Sequence, residues 1–214
     1  MRTFVINLDT AVDRWKHYED TDYHRWRATP YQEVSQEDSD RMLSYWNISK
    51  RNHLCKVACL KSHYSLWKHI VKNKINNVII LEDDALLISN ITDLESNQDG
   101  ITYLGGLTYT PKMTGGFINC SFNKQITKID FDKFRVLQTL AYYIPNYSVA
   151  DKLIKMIDSK KRWRAVDVML GEIKNNNELN AYIRFPACFI ERNEKSQIQS
   201  YKRSKYANQF YQLK

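Results

Sequence analysis

Val78-Ile79-Ile80-Leu81-Glu82-Asp83-Asp84-Ala85-Leu86-Leu87 sets four apolar residues, three of them β-branched, directly against three acids. A continuous apolar run of this length is the pattern of a central parallel strand buried on both faces, since a half-exposed strand would alternate with polar residues. In open α/β sheets ligands bind beyond the carboxyl ends of the strands. The acids therefore fall where a ligand is expected. If extension continued, residues 82 and 84 would point to one side and Asp83 to the other, so that Glu82 and Asp84 converge. Hard carboxylate oxygens so placed suit Mn²⁺ or Mg²⁺. An acidic triplet can also simply end a strand and cap a turn. Here apolar segments lie on both sides, and the mutual repulsion of the carboxylates favours a bound cation as the reason for them.

Working outward, the clearest helix precedes this strand, from about Lys56 to Lys72, with Val57, Leu60, Tyr64, Trp67 and Val71 at helical spacing. Residues 3 to 8 read as a first buried strand, followed by an amphipathic stretch from Ala11 to Glu19. Ser35-Gln36-Glu37-Asp38 has the capping-box form and predicts a helix running through Met42, Leu43 and Trp46. Ile101-Thr102-Tyr103-Leu104 reads as a strand ending in Gly105-Gly106, where backbone or ligand can approach closely. Residues 107 to 135 read as loop and hairpin, and Leu137 to Ile144 as another strand. Ser148-Val149-Ala150-Asp151 caps a helix. A short helix from Asp167 to Lys174 and a strand from Ala181 to Phe185 complete the core. Alternation of strands and helices predicts an α/β fold with a mixed central sheet flanked by helices.

At 214 residues, with 43% hydrophobic and 26% charged, the chain is expected to form one domain, 1–214, with a basic C-terminal tail at 192–214. The tail holds Arg192, Lys195, Lys202, Arg203, Lys205 and Lys214 against Glu194, a net +5 of the chain's formal +8. Such a tail could contact nucleic acid, an anionic membrane or another polyanion. A solvated end without a partner is the commoner outcome, and no nucleic acid is expected. No stretch is long and apolar enough to span a membrane, and the N-terminus is too short and too soon acidic for a signal peptide, so a cytoplasmic location is expected. Cys55, Cys59, Cys120 and Cys188 are then expected as reduced thiols, and the four Asn-x-Ser/Thr sequences as unmodified. Cys55, Cys59 and His63 share one helix face at spacings of four. That could suggest zinc, but no second ligand pair lies nearby, and core packing is the better reading.

Several ordered pieces resemble glycosyltransferase family 25, whose members include lipopolysaccharide and collagen galactosyltransferases. Ile6-Asn7-Leu8-Asp9 with Asp13-Arg14 resembles its opening signature. Cys59-Leu60-Lys61-Ser62-His63 with Trp67 resembles its Gly-Cys-x-x-Ser-His segment, and Ile80 to Ala85 its acidic motif. Weaker echoes are Tyr103-Leu104-Gly105-Gly106, Ala141-Tyr142-Tyr143-Ile144, Val166-Asp167, and Phe185-Pro186 running on to Ser196. Ala58 stands where the family usually has glycine, residues 107 to 135 match nothing in it, and no histidine follows His69.

The resemblance implies a single Rossmann-like nucleotide-diphosphosugar transferase domain of the type-A glycosyltransferase fold. It implies transfer of a sugar from a UDP-type donor to a glycan or glycoconjugate acceptor, with inversion at the anomeric carbon. In that picture Asp84 and Glu82 hold Mn²⁺ or Mg²⁺ on the donor diphosphate, with Asp83 near the ribose or sugar. Asn7 and the backbone at Leu8 receive the nucleoside, and Arg14 holds the loop or reaches a phosphate. Lys61 and Ser62 reach toward the donor, and His63 orders the loop after the acidic motif. Inversion requires a base for the acceptor hydroxyl. Asp167 is the candidate, with a helix N-cap as its equal alternative. Two other classes remain: a non-catalytic nucleotide-sugar or glycan-binding module, and a nucleic-acid-binding protein.

Overall fold

The computed structural model of the chain describes residues 1–43, 48–91, 94, 98–109, 126–132, 135–175 and 178–192. Cys120, Trp46 and the tail beyond Arg192 lie outside them. Strand β1 (Arg2–Asn7) leads through a short helix α1 (Val12–Trp15) to β2 (His24–Arg27). Helices α2 (Gln36–Arg41) and α3 (Lys50–Lys72) follow, then β3 (Val78–Glu82), β4 (Ala85–Leu87), β5 (Gly100–Tyr109), β6 (Ile126–Lys128) and β7 (Arg135–Ile144). Helices α4 (Tyr147–Asp158) and α5 (Val166–Gly171) and strands β8 (Asn180–Arg184) and β9 (Phe189–Glu191) complete the described chain.

Among the described residues, seven strands form a mixed sheet in the order β2-β1-β3-β7-β5-β8-β6, and β4 pairs with β9 in a second, two-stranded sheet. β1 runs parallel to β2 and β3, whereas β7 is antiparallel to both β3 and β5. The carboxyl ends of β1 and β3 thus share one edge beside the reversal of direction at β7. This is a Rossmann-like mixed α/β sheet with helices on its faces.

The burial of β3 explains its sequence. Val78 and Ile80 join a core with Phe4, Tyr142, Leu60, Trp67, Ile70, Val149 and Leu153 beneath α3 and α4. Ile79 and Leu81 join another with Val5, Tyr18, Leu104, Ala141, Tyr143 and Phe189 on the opposite face. All four are 0% exposed, so neither face tolerates a polar residue. At roughly 1.5–3 kcal/mol for each fully buried large aliphatic side chain, this strand is a main anchor of the sheet. Among the described residues no helix is long and apolar enough to cross a membrane.

Several sequence expectations shift. The helix predicted through Trp46 ends at Arg41, because Met42 turns into an isolated bridge with Trp163. Its predicted cap is present: the Ser35 side chain accepts from the Asp38 N–H. The stretch from Ala11 to Glu19 is a four-residue helix followed by a 3-10 turn. Helix α4 is capped by Asn146 rather than Ser148, its side chain accepting from the Val149 N–H. β5 does not end at Gly105-Gly106 but runs on to Tyr109. Close approach is nonetheless the reason for Gly105, since a Cβ there would meet the Phe189 carbonyl oxygen at 2.5 Å.

Candidate functional site

Extension stops at Glu82. Asp83 and Asp84 form a turn before β4, so strand alternation no longer sets their directions, and both face one guanidinium. What redirects them is Arg14. Its Nη1 lies 2.5 Å from Asp83 Oδ1 and 3.8 Å from Asp84 Oδ2, and all three side chains are about nine-tenths buried. Asn7, 0% exposed at the end of β1, donates its amide to Asp83 Oδ2 at 2.8 Å and to the Ala11 carbonyl at 3.2 Å. Arg25 Nε donates to Asn7 Oδ1 at 2.9 Å and its Nη2 to the Leu8 carbonyl at 3.1 Å. The end of β1 and the acidic turn are therefore one hydrogen-bonded unit. Burial pushes the Asp83 carboxyl above its usual range, while Arg14 and Asn7 draw it back.

The turn is clamped from the other side as well. The Tyr18 hydroxyl donates to the Ala85 carbonyl at 2.5 Å, and the Arg192 N–H to the Asp84 carbonyl at 2.7 Å, where β9 runs out beside β4. Backbone contacts on both flanks leave the direction of the Asp84 side chain as a property of the fold rather than of a mobile loop.

Glu82 turns the opposite way from Asp83. Its Oε1 accepts from the Thr139 hydroxyl on β7 and lies 3.6 Å from His63 Nε2. Cys59, His63 and Glu82 bring one potential ligand atom each within 4.8 Å of one another. Burial pushes the Cys59 thiol well above its ordinary range, and the negative charges of Glu82, Asp167 and Asp84 add to the shift. Cys59 is therefore expected to stay unalkylated at pH 8 in the folded protein and to react once denatured. Mass spectrometry after iodoacetamide treatment checks this.

Asp167 is not the N-cap of α5. That position is Ala165, and Asp167 lies in the first turn. Its Oδ1 accepts from the Val168 N–H at 2.8 Å and its Oδ2 from the Gln138 N–H at 3.3 Å. Gln138 has φ 74, a left-handed conformation rare outside glycine, and its amide donates to Glu191 Oε2 at 3.2 Å. Such a residue costs of order 1–2 kcal/mol relative to ordinary backbone. It sits beside Thr139, and strain of this kind concentrates at functional sites.

Lys61 and Ser62 point elsewhere. Lys61 pairs with Asp38 on α2. The buried Ser62 hydroxyl donates to the Ala58 carbonyl at 2.7 Å and accepts from the Thr29 N–H at 2.8 Å, tying α3 to the segment after β2. Ser62→Ala should cost roughly 1–3 kcal/mol by leaving the Thr29 N–H unpaired and should leave ligand binding unchanged. Urea denaturation beside a binding titration separates the two.

Thr139, Gln138, Arg25 and Tyr18 belong to the site but carry no motif. The polar pair Gln138-Thr139, set between Val136-Leu137 and Leu140-Ala141, is the one sequence signal that could have marked it.

A family model described as glycosyltransferase family 25 (LPS biosynthesis protein) matches residues 1–170, from β1 through most of α5. The chain belongs to glycosyltransferase family 25. It is a glycosyltransferase, with a sugar donor and a glycan acceptor. A search of curated proteins finds no match to it. The matched span of this family 25 chain contains Asn7, Arg14, His63, the acidic turn and Asp167, and it ends before β8 and β9.

Proposed function

We propose that the chain moves a hexose from a UDP-type donor to a glycan or glycoconjugate acceptor, with inversion, on a type-A glycosyltransferase scaffold. The observation that carries this reading is the position of the acidic turn: Glu82, Asp83 and Asp84 leave the carboxyl end of β3 beside that of β1, fixed from both flanks. Ligands of open α/β sheets bind there.

The carboxylates fit a hard divalent cation, Mn²⁺ or Mg²⁺, in their chemistry. Asp84 and Glu82 would hold it, and when bound it would stabilise charge on the departing nucleotide. Asp83 is committed to Arg14 and Asn7, so we assign these three to the floor of the donor site, with the Leu8 backbone at its nucleoside end. Ser62 and Lys61 support α3 behind it. Asp167 takes the proton of the acceptor hydroxyl as that oxygen bonds to the anomeric carbon and the bond from that carbon to the diphosphate oxygen breaks. Two backbone N–H groups orient its carboxylate, and a carboxylate has about four acceptor sites, enough for a further partner. We place the reaction in the cytoplasm, with the basic tail suited to an anionic membrane surface.

Calorimetric titration of a panel of nucleoside-diphosphate sugars, with Mn²⁺ and with chelator, tests the reading. Binding of one base class in Mn²⁺ that is lost in chelator supports it. Absence of binding under both conditions, with salt-sensitive binding to nucleic acid instead, would overturn it.

A further inference from the structure

His63 is 0% exposed, and what its ring does follows from counting donors along one line of contacts. The Trp67 indole N–H can only donate, and it lies 3.0 Å from the Tyr142 hydroxyl oxygen. That oxygen lies 2.8 Å from His63 Nδ1. Among the described residues, these two are the hydrogen-bond partners of the Tyr142 hydroxyl. Tyr142 is itself 0% exposed, and burial keeps the phenol protonated by pushing it well above its ordinary range. Its oxygen accepts from Trp67, so its single proton has one acceptor to go to, His63 Nδ1. The ring proton then sits on Nε2, which makes no hydrogen bond among the described residues and lies 3.6 Å from Glu82 Oε1.

We propose that His63 is a positioning residue for Glu82, locked by Trp67 and Tyr142 as the Nε2–H tautomer, so that His63 and Thr139 both present donors to the same carboxylate oxygen. Glu82 is the last residue of β3 before the chain turns, so its side chain takes its direction from what packs around the end of the strand. The Thr139 hydroxyl from β7 bonds Oε1, and His63 Nε2 from α3 faces the same oxygen at 3.6 Å, a polar contact longer than a hydrogen bond that biases the carboxylate toward this position. The functional consequence rests on Glu82 holding the donor cation, as proposed above, because outer partners orient a ligating carboxylate. The rival use of the same atoms is a transition-metal site formed by Cys59, His63 and Glu82. It requires the Nε2 lone pair, which would move the ring proton to Nδ1 and leave the buried Tyr142 hydroxyl proton without an acceptor.

Long-range proton–nitrogen NMR of histidine-labelled protein, with His63 assigned from the signal missing in His63→Gln, reads the tautomer without reference to activity. A pyrrole-type Nε2 and pyridine-type Nδ1 in the wild type, with that preference lost in Tyr142→Phe, supports the proposal. A pyrrole-type Nδ1, or conversion of Nε2 to a metal-bound shift by one equivalent of Zn²⁺, overturns it. The second arm is Mn²⁺ calorimetry. His63→Gln, which can restore a donor near the Nε2 position, should bind nearly as well as wild type, while His63→Phe should bind roughly 10–100-fold more weakly. Equal loss in both variants would overturn the positioning role, whereas absence of Mn²⁺ binding in the wild type would count against the cation reading and leave the tautomer measurement standing.

Discussion

Asp84→Asn is expected to bind nucleoside-diphosphate sugar no better in Mn²⁺ than in chelator. The substitution keeps side-chain size, and the backbone contacts that clamp the turn, Arg192 N–H to the Asp84 carbonyl and Tyr18 to the Ala85 carbonyl, are untouched. The expected loss of cation affinity is at least on the order of 100-fold, above the 10–100-fold typical of losing an outer partner of a metal ligand. Asp83→Asn is the informative contrast. Asp83 holds Arg14 at 2.5 Å in a nearly closed environment, and removing one partner of a buried ion pair typically costs about 3–5 kcal/mol. Its main effect should be on stability. Calorimetry with and without Mn²⁺, paired with chemical denaturation, assigns each variant. Mn²⁺-dependent donor binding that survives Asp84→Asn would remove Asp84 from the cation site.

The same contrast shows where sequence reasoning ends. That three acids follow a doubly buried strand is written in Val78 to Asp84, and the burial of Val78 through Leu81 from both sides agrees with it. That Asp83 turns inward depends on Arg14, nearly seventy positions earlier in the chain and brought close by the parallel pairing of β1 with β3. Alternation along a strand predicts side-chain directions only while the strand lasts. Helix α3 was legible through its long apolar face, and its N-terminal extension to Lys50 is explained by a cap at Ser49. β2 was not legible, because His24-Arg25-Trp26-Arg27 is a polar edge strand in which Trp26 alone packs against the core, too little to impose a pattern. The short strands β4 and β9 have three residues each and are defined by each other across a long stretch of sequence. Residues Thr139 and His63 meet Glu82 only after β7 pairs with β3 in the sheet and α3 packs on its face.

Asp167→Asn should lower turnover by roughly 10²–10⁴, the usual contribution of a positioned acid or base, while leaving Mn²⁺-dependent donor binding within a few-fold of wild type. Initial rates at saturating donor, beside the same calorimetric titration, measure both quantities. The variant also carries a structural cost that must be kept apart from the chemical one. Both carboxylate oxygens of Asp167 accept backbone N–H groups, from Val168 and from Gln138. An asparagine has one oxygen to serve them, and its amide nitrogen would face a donor, at a cost of roughly 1–3 kcal/mol. That cost falls on the segment held by Gln138 in its left-handed conformation, next to the threonine that holds Glu82. Relaxation of that segment would show as a change in donor affinity, because Glu82 would lose the Thr139 bond. Loss of base would not change donor affinity, since the acceptor proton moves only in the chemical step. Turnover lost with donor binding intact therefore assigns Asp167 to the acceptor hydroxyl. Turnover and binding lost together assign it to holding the Gln138 backbone, and the base must then be another group.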